Sequence, residues 1–191
     1  MGRTSPNPCV GAVIVKNGQL IAKGYHKKAG TAHAEINALR NASESVAGAT
    51  IYVTLEPCNH TGKTPRCSRA ILDSGLSRVV VGMADPNPLV NGSGIDFLRS
   101  HGIEVISGIL EQECESLNFP FIKQITQGIP WVIMKAGVSL DGRLNYQCGH
   151  AGWITGEQSA HEVHKLRNSV DAILVGRKTV EIDNPSLTTR L

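Results

Sequence analysis

Four residues in the first half of the chain have the types and spacing of a catalytic zinc site. His33 and Glu35 belong to the motif His-Ala-Glu, and Cys58 and Cys67 enclose a polar segment. One imidazole and two thiolates can bind Zn²⁺. Catalytic zinc sites use three protein ligands and leave the fourth position to water, whereas structural sites normally use four protein ligands. The sequence therefore predicts a zinc ion bound by His33, Cys58 and Cys67.

The chemistry expected of such a site is hydrolysis with proton transfer. Two thiolates balance the charge of Zn²⁺, and the metal acidifies its bound water, which can then attack an electrophilic carbon. Glu35 would accept the proton of this water and pass it to a ring nitrogen and later to a departing amine. Zinc nucleobase deaminases use a histidine, two cysteines and a glutamate that is not a ligand. The pattern thus indicates a hydrolytic deaminase.

The spacing of the cysteines leaves other interpretations open. Eight residues separate Cys58 from Cys67, whereas the compact deaminase motif P-C-x-x-C has two. A structural zinc site with His60 as the fourth ligand, or a pair of buried cysteines without metal, would also fit. The combination of H-A-E with E-P-C favours the catalytic site.

The elements that position these residues alternate between strands and helices. Asn17-Gly18 separates two apolar runs and predicts a β-hairpin over 10–25, and Thr31 is expected to cap a helix that carries His33 and Glu35. Residues two apart point about 200° from each other on a helix, so His33 and Glu35 can share a site only at its N-terminus. Strands are expected over 50–55, 79–82, 103–106, 131–134 and 172–175, and helices over 68–72, 95–100, 110–127 and 156–167. This alternation predicts an α/β fold with helices packed on a central sheet.

Composition limits the class of protein. The 191 residues include 41% hydrophobic residues and carry a net charge of +3 without any basic block, which argues against a dedicated nucleic-acid surface. Five cysteines, an odd number without a dense framework, are typical of a reduced protein, and no signal peptide or membrane span is evident. We therefore expect a cytoplasmic protein that binds a small molecule and contacts neither nucleic acid nor membrane.

Two domains are expected, over 1–127 and 128–191. The second is small for an independent core and ends just after a strand and a helix, so we expect an incomplete domain and a chain that is a fragment or a short form. Uncovered sheet edges and faces tend to find partners, and a homo-oligomer is therefore expected.

The polar segment between the two cysteines suggests the type of substrate. His60, Lys63 and the backbone amides of a glycine-containing loop can bind phosphate, although an ordinary solvated loop would have the same composition. Because the ends of the segment carry the expected metal ligands, anything it binds would lie next to the reacting base. A phosphorylated pyrimidine nucleotide fits this arrangement better than a free nucleobase.

Four motifs together resemble one enzyme family. They are Thr4-Ser5-Pro6-Asn7-Pro8-Cys9-Val10-Gly11-Ala12-Val13-Ile14-Val15, His33-Ala34-Glu35, the segment from Glu56-Pro57-Cys58 to Cys67, and Asp85-Pro86-Asn87-Pro88. In this order they resemble the bifunctional deaminase and reductase of riboflavin biosynthesis, which uses the long cysteine interval. The resemblance implies a cytidine-deaminase-like three-layer αβα domain followed by part of a dihydrofolate-reductase-like domain.

The resemblance also implies substrates and residue roles. The first domain would hydrolyse the 2-amino group of 2,5-diamino-6-(ribosylamino)pyrimidin-4-one 5′-phosphate, with His33, Cys58 and Cys67 on zinc and Glu35 as the proton shuttle. Its substrate-binding residues would be Asn7, His60, Lys63, Asp85 and Asn87, of which Asn7 could also be only a turn residue. In the second domain NADPH would contact Gly137, Trp153, Thr179 and Asp183, and the reductase substrate would contact Ala151, Arg167, Leu187 and Arg190. Packing roles for Gly137 and Leu187 are equally compatible with the sequence.

Two further functions remain possible from the residues alone. A cytidine or tRNA-adenosine deaminase would use the same zinc chemistry, although the cysteine interval and the lack of a basic patch disfavour it. A non-catalytic, zinc-stabilised module would instead close the metal site with a fourth ligand.

Overall fold

The first two strands form the hairpin that the Asn17-Gly18 turn predicts. The computed structural model describes residues 3–60, 66–88, 90–147, 149–150 and 152–191. Strand β1 (Gly11–Lys16) pairs antiparallel with β2 (Gln19–Tyr25). Asn17 and Gly18 have φ values of 50° and 76°, as a tight hairpin with two left-handed residues requires.

Among the described residues, five strands form one mixed sheet in the order β2-β1-β3-β4-β5. Strand β3 (Thr50–Leu55) is antiparallel to β1, whereas β4 (Arg78–Met83) and β5 (Glu104–Ser107) continue the sheet in parallel. Parallel neighbours need crossover connections, which contain the helices α2 (Cys67–Asp73) and α3 (Ser93–Ser100). The strands and helices expected in this part of the chain are confirmed to within two residues.

Helices cover both faces of this sheet. Helix α1 (Ala34–Arg40) lies with α2 and α3 over the main core, whose fully buried side chains include Ile14, Ile51, Ile71, Val79 and Leu98. Helix α4 (Glu111–Gln127) lies on the opposite face, where a side chain at Gly82 would collide with Cys114. Alternate residues of a strand point to opposite faces. Val79 therefore faces the layer of α1, α2 and α3, and Gly82 faces α4. The expected three-layer αβα fold is confirmed.

Helix α1 begins later than the sequence suggests. Its N-cap is His33, with extended φ and ψ of −71° and 168°, so the prediction that Thr31 caps this helix was wrong. The Thr31 hydroxyl donates a hydrogen bond to the Lys28 carbonyl at 2.7 Å and therefore belongs to the preceding turn. A Cβ atom at Gly24 would overlap the backbone of α1. Glycine thus lets the helix approach β2 closely enough to place His33 at the end of the sheet.

A buried carboxylate attaches α3 to the end of β3. Glu56 Oε1 accepts hydrogen bonds from the backbone N–H groups of Gly94 and Ile95 at 2.8 and 3.3 Å. Its Oε2 accepts from those of Asp85 and Gly92 at 3.2 and 3.0 Å. The N-cap of α3 makes no side-chain hydrogen bond, so this carboxylate satisfies amides that the helix leaves free.

The chain divides into two compact units, residues 1–131 and 132–191. The second contains α5 (Glu157–Asn168), as expected, and α6 (Arg177–Asp183), which the sequence analysis did not predict. The strands expected over 131–134 and 172–175 are absent from the described structure, and Val132, Met134 and Leu174 are largely exposed. A strand needs a hydrogen-bonded neighbour, and the described residues of the second unit supply none. The expected domain boundary after residue 127 stays a prediction.

The helices of this chain are short or polar. In the part of the chain that the structure describes, none has the length and apolar composition needed to cross a membrane.

Replacing Glu56 by glutamine tests the role of this carboxylate in the fold. A Gln side chain would place an NH₂ group against two backbone N–H donors and leave them without an acceptor. We expect the free energy of unfolding in urea to fall by about 2–4 kcal/mol.

Glu104→Gln is the matched control. It removes only an exposed ion pair with Arg78, which should contribute less than about 1 kcal/mol. Equal effects of the two substitutions would contradict a special role of Glu56.

Candidate metal centre

Three of the predicted site residues lie close enough to share one metal ion. His33 Nδ1 is 3.5 Å from Cys58 Sγ and 3.3 Å from Cys67 Sγ. All three ligand atoms lie within 4.8 Å of one another. For tetrahedral zinc, with a Zn–N distance of about 2.0 Å and a Zn–S distance of about 2.3 Å, the N···S distance is about 3.5 Å. The donor types and their spacing therefore fit zinc.

Two helix N-termini place these ligands. His33 precedes the first turn of α1, and Cys67 is the first residue of α2. Cys58 follows β3 by three residues, and its Sγ accepts a hydrogen bond from the Cys67 backbone N–H at 3.4 Å. The positive end of a helix dipole stabilises a thiolate in front of it. The predicted positions at two helix N-termini are confirmed.

The two cysteines differ in acidity when no metal is present. The hydrogen bond from the Cys67 thiol lowers the pKa of Cys58 to about 4, with smaller contributions from His33 in the same direction. The same interaction and burial raise the pKa of Cys67. One proton is thus retained on Cys67. A divalent cation would displace that proton, because a metal-bound cysteine is a thiolate.

The charge of Cys58 also affects the histidine. The hydrogen bond with Cys58 raises the pKa of His33, against the opposing effect of burial. Zinc requires the neutral imidazole, so metal binding displaces a proton from the histidine wherever it is protonated.

Glu35 is buried beside this cluster in the first turn of α1. Burial raises the pKa of Glu35 to about 7, and a hydrogen-bonding contact with Cys67 acts in the opposite direction. A carboxyl group with this pKa can both accept and donate a proton near neutral pH.

The cluster holds three ligands in the described part of the chain. His60 is among the residues described there, but no fourth His, Cys, Asp or Glu side chain joins His33, Cys58 and Cys67. A three-ligand site is the arrangement in which a metal keeps a position for water.

Polar residues from other segments surround the cluster. Burial raises the pKa of Asp85, and the charges of Cys58 and His60 act on it more weakly. Asp85 Oδ1 accepts a hydrogen bond from the Asn87 backbone N–H at 2.9 Å. Asp85, on the segment after β4, is therefore close enough to Cys58 and His60 to interact with their charges. Lys63, the remaining residue of the predicted phosphate loop, lies outside the described residues.

Asn7 approaches the cluster through a histidine that the sequence analysis missed. Its Nδ2 lies 3.2 Å from His26 Nε2. The buried His26 ring is edge-on to the His33 ring, with 5.4 Å between the ring centroids. The only signal in the sequence was a histidine directly after β2.

The residues predicted for the reductase lie in the second unit. Arg167 Nη1 donates to the Thr188 carbonyl at 3.1 Å, and Arg190 Nη1 donates to the Thr188 hydroxyl at 2.8 Å. Both arginines therefore contact Thr188, close to the last residue of the sequence. Gly137 borders a cavity beside α5, and Trp153 is exposed. Thr179 and Asp183 belong to α6, Leu187 is partly exposed, and Ala151 lies outside the described residues.

Comparison with known protein families identifies two regions of the chain. Residues 1–83 match the cytidine and deoxycytidylate deaminase zinc-binding region, and residues 130–191 match the RibD C-terminal domain. The riboflavin biosynthesis protein RibD of Aquifex aeolicus (strain VF5) is 50% identical over 189 residues, which cover 99% of this chain and 53% of that protein.

Solved structures agree with this result. A diaminohydroxyphosphoribosylaminopyrimidine deaminase/5-amino-6-(5-phosphoribosylamino)uracil reductase from Thermotoga maritima has a TM-score of 0.94 at 48% identity, covering 100% of this chain and 55% of that one. RibD from Acinetobacter baumannii has a TM-score of 0.92 at 47% identity, covering 98% and 53%.

These comparisons extend over nearly all of the sequence and include the deaminase zinc-binding region and the RibD C-terminal domain. The chain spans about half the length of the curated relatives it matches. The similarity covers both units, the three candidate metal ligands and Glu35. The chain therefore belongs to the RibD family of riboflavin biosynthesis proteins.

Proposed function

We propose that the first unit catalyses the zinc-dependent hydrolytic deamination of 2,5-diamino-6-(ribosylamino)pyrimidin-4-one 5′-phosphate in riboflavin biosynthesis. The observation that carries this proposal is the three-ligand cluster of His33, Cys58 and Cys67 with the buried carboxyl group of Glu35 beside it. The names of the relatives, a pyrimidine deaminase and reductase among them, support the substrate.

Each residue has a defined task in this reaction. A zinc ion held by His33, Cys58 and Cys67 would supply an acidified water as the nucleophile. Glu35 accepts a proton from this water and delivers it to the ring nitrogen next to the reacting carbon. It then helps to transfer a second proton to the amino group, which leaves as ammonia. One water is consumed and the C–NH₂ group becomes a carbonyl, so atoms and charge balance.

The surrounding polar groups would bind the substrate. We assign Asp85 and Asn87, on the segment after β4, and Asn7, on the segment before β1, to the pyrimidine and ribose. His60 and Lys63 would bind the phosphate, because cationic and imidazole groups next to a glycine are suited to an anion.

A cytidine-type deaminase is the second candidate, because residues 1–83 match the cytidine and deoxycytidylate deaminase zinc-binding region. The same metal chemistry would serve both reactions, so the substrate decides between them. Faster release of ammonia from cytidine or deoxycytidylate than from the diaminopyrimidine phosphate would favour this second function.

We further propose that the protein acts in the cytoplasm and associates with itself. Cys9, Cys58, Cys67 and Cys114 are free thiols, and the ligands among them must stay reduced to bind a metal. Val13, Tyr25 and Tyr52 are exposed hydrophobic residues on the strands of the first unit, which supports self-association.

For the second unit we propose a part of an NADPH-dependent reductase. Gly137, Trp153, Thr179 and Asp183 would belong to the cofactor site, and Ala151, Arg167, Leu187 and Arg190 to the substrate site. The match of residues 130–191 to the RibD C-terminal domain supports this proposal.

Glu35→Gln tests the proton shuttle. The amide keeps the size of the side chain but cannot accept the proton, so the rate of ammonia release should fall by about 10²- to 10⁴-fold. Zinc content, measured by atomic emission, should remain at the wild-type value. Wild-type ammonia release from the zinc-loaded variant would exclude Glu35 from this role.

Cys67→Ser tests whether the Cys67 thiolate binds the metal ion. A hydroxyl group is a much weaker zinc ligand than a thiolate, so the variant should lose most of its zinc after dialysis against a mild chelator. Cys114→Ala is the matched control, since Cys114 is a buried cysteine on α4 and outside the cluster. If both variants kept wild-type zinc, the assignment of the ligand would be wrong.

The isolated 191-residue chain is expected not to oxidise NADPH in the presence of the deaminated pyrimidine. The described residues of the second unit form two helices and no strand, and about 60 residues bury too little surface to complete a cofactor-binding sheet. Absorbance at the NADPH band measures the reaction. Substrate-dependent consumption would contradict the expectation.

A further inference from the structure

A buried amide on α4 binds the backbone of the segment that carries Asn7. Asn118 Oδ1 accepts a hydrogen bond from the Cys9 backbone N–H at 2.8 Å, and Asn118 Nδ2 donates to the Cys9 carbonyl at 3.0 Å. The side chain is almost completely buried, and Nδ2 also lies 3.4 Å from the Cys114 carbonyl. The amide thus pairs with Cys9 at two points, as a neighbouring strand would.

This pairing fixes one end of a short segment, residues 4–9. Inside the segment, the Asn7 backbone N–H donates to the Thr4 carbonyl at 2.7 Å, which closes a tight turn. The Thr4 side chain is buried, and its hydroxyl lies 3.3 Å from Cys9 Sγ. Because the Thr4 side chain contacts Cys9 and its carbonyl closes the turn at Asn7, we expect a displacement of Cys9 to move Asn7 as well.

The other attachment of this segment sets the orientation of the Asn7 amide. His26 Nδ1 lies 3.1 Å from the Ala32 carbonyl, which can only accept, so this nitrogen carries the proton. In the neutral ring, Nε2 then accepts a hydrogen bond from Asn7 Nδ2. Asn7 Oδ1 is consequently the atom available to accept a hydrogen bond from a ligand.

We propose that Asn118 is a positioning residue of the deaminase site. It holds Cys9 and thereby sets the position of Asn7, whose amide oxygen accepts a hydrogen bond from an N–H group of the aminopyrimidine. This inference rests on the proposed deaminase function. Asn118 itself touches no reacting atom, and it acts from the opposite layer of the fold through the turn of residues 4–9.

The expected kinetic signature follows from this indirect action. Without the amide, the N–H and carbonyl groups of Cys9 need other partners, and the turn shifts towards water to find them. A misplaced Asn7 weakens the binding of substrate and transition state to similar extents, which raises KM more than it lowers kcat. The zinc ligands do not belong to the segment, so the metal content should not change.

The first test compares two variants that keep the number and branching of the side-chain heavy atoms of asparagine. Asn118→Leu removes both hydrogen bonds to Cys9, and Asn118→Asp keeps an acceptor for the Cys9 N–H but loses the donor at neutral pH. For ammonia release from the diaminopyrimidine phosphate, we expect KM to rise at least about 10-fold in Asn118→Leu while kcat changes less than about 3-fold. Asn118→Asp should lie between this variant and the wild type.

Gln124→Leu provides the control, because Gln124 is exposed on the same helix. It should leave KM and zinc content at the wild-type values. A wild-type KM in zinc-loaded Asn118→Leu would overturn the proposal, as would a fall in kcat with unchanged KM.

A double-mutant cycle separates positioning from general destabilisation. In the Asn7→Ala background, Asn118→Leu should raise KM by less than about 2-fold, because the side chain that it positions is already absent. The same 10-fold rise in both backgrounds would mean that Asn118 acts by another route and would contradict the proposal.

Hydrogen exchange can be measured on the unmodified protein without substrate. This test therefore needs no folded variant and no deaminase activity. The Cys9 amide should exchange at least about 100-fold more slowly than an unprotected amide. Exchange at the unprotected rate would overturn the proposal even where ammonia is released. Conversely, slow exchange at Cys9 together with no ammonia release would reject the proposed function and leave the Asn118 pairing in place.

Discussion

The carboxylate of Glu56 connects the segments on which the candidate metal centre depends. It follows β3 directly and precedes Cys58 by two residues, and it accepts hydrogen bonds from the N–H groups of Asp85, Gly92, Gly94 and Ile95. The metal-ligand segment and the segment after β4 are therefore held by one buried group. Its cost of desolvation is offset because both oxygens are satisfied by backbone donors, which cannot move away without breaking the start of α3.

Backbone N–H groups also provide positive charge at the cluster of His33, Cys58 and Cys67. α1 and α2 both begin at the metal-ligand cluster, so their amide groups favour negative charge at Cys58 and Cys67. Glu35 is different, because burial raises its pKa to about 7 in spite of the opposing effects of His33 and Cys67. The same few residues thus stabilise the Cys58 thiolate, keep a proton on Cys67 that a metal ion would displace, and hold a carboxyl group that can exchange a proton. The hydrogen bond from Cys67 lowers the pKa of Cys58, whereas burial raises the pKa of Glu35, and these two causes produce the difference.

The parts of this arrangement that the sequence could predict are local ones. The Asn17-Gly18 turn defined the hairpin, and the requirement that His33 and Glu35 share a site placed them at a helix N-terminus. Thr31 was assigned as a cap because its type is suitable, but its hydroxyl bonds to a turn carbonyl instead. The apolar runs over 131–134 and 172–175 have strand composition, yet pairing depends on a neighbour that composition does not reveal. Asn118 and Cys9 are 109 residues apart, and no local pattern connects them.

The two units differ in how far their apolar side chains are buried by residues of the same unit. The metal ligands lie within residues 33–67, and the sheet that positions them uses strands from residues 11–107, so the described part of the first unit contains its own core. The helices of the second unit contain no buried residue, and its apolar side chains at Val132, Met134 and Leu174 are exposed. Burial of apolar surface is the main favourable term in folding. The described residues of the first unit therefore contain both the candidate metal ligands and a buried core that positions them, whereas the two helices of residues 132–191 bury no side chain.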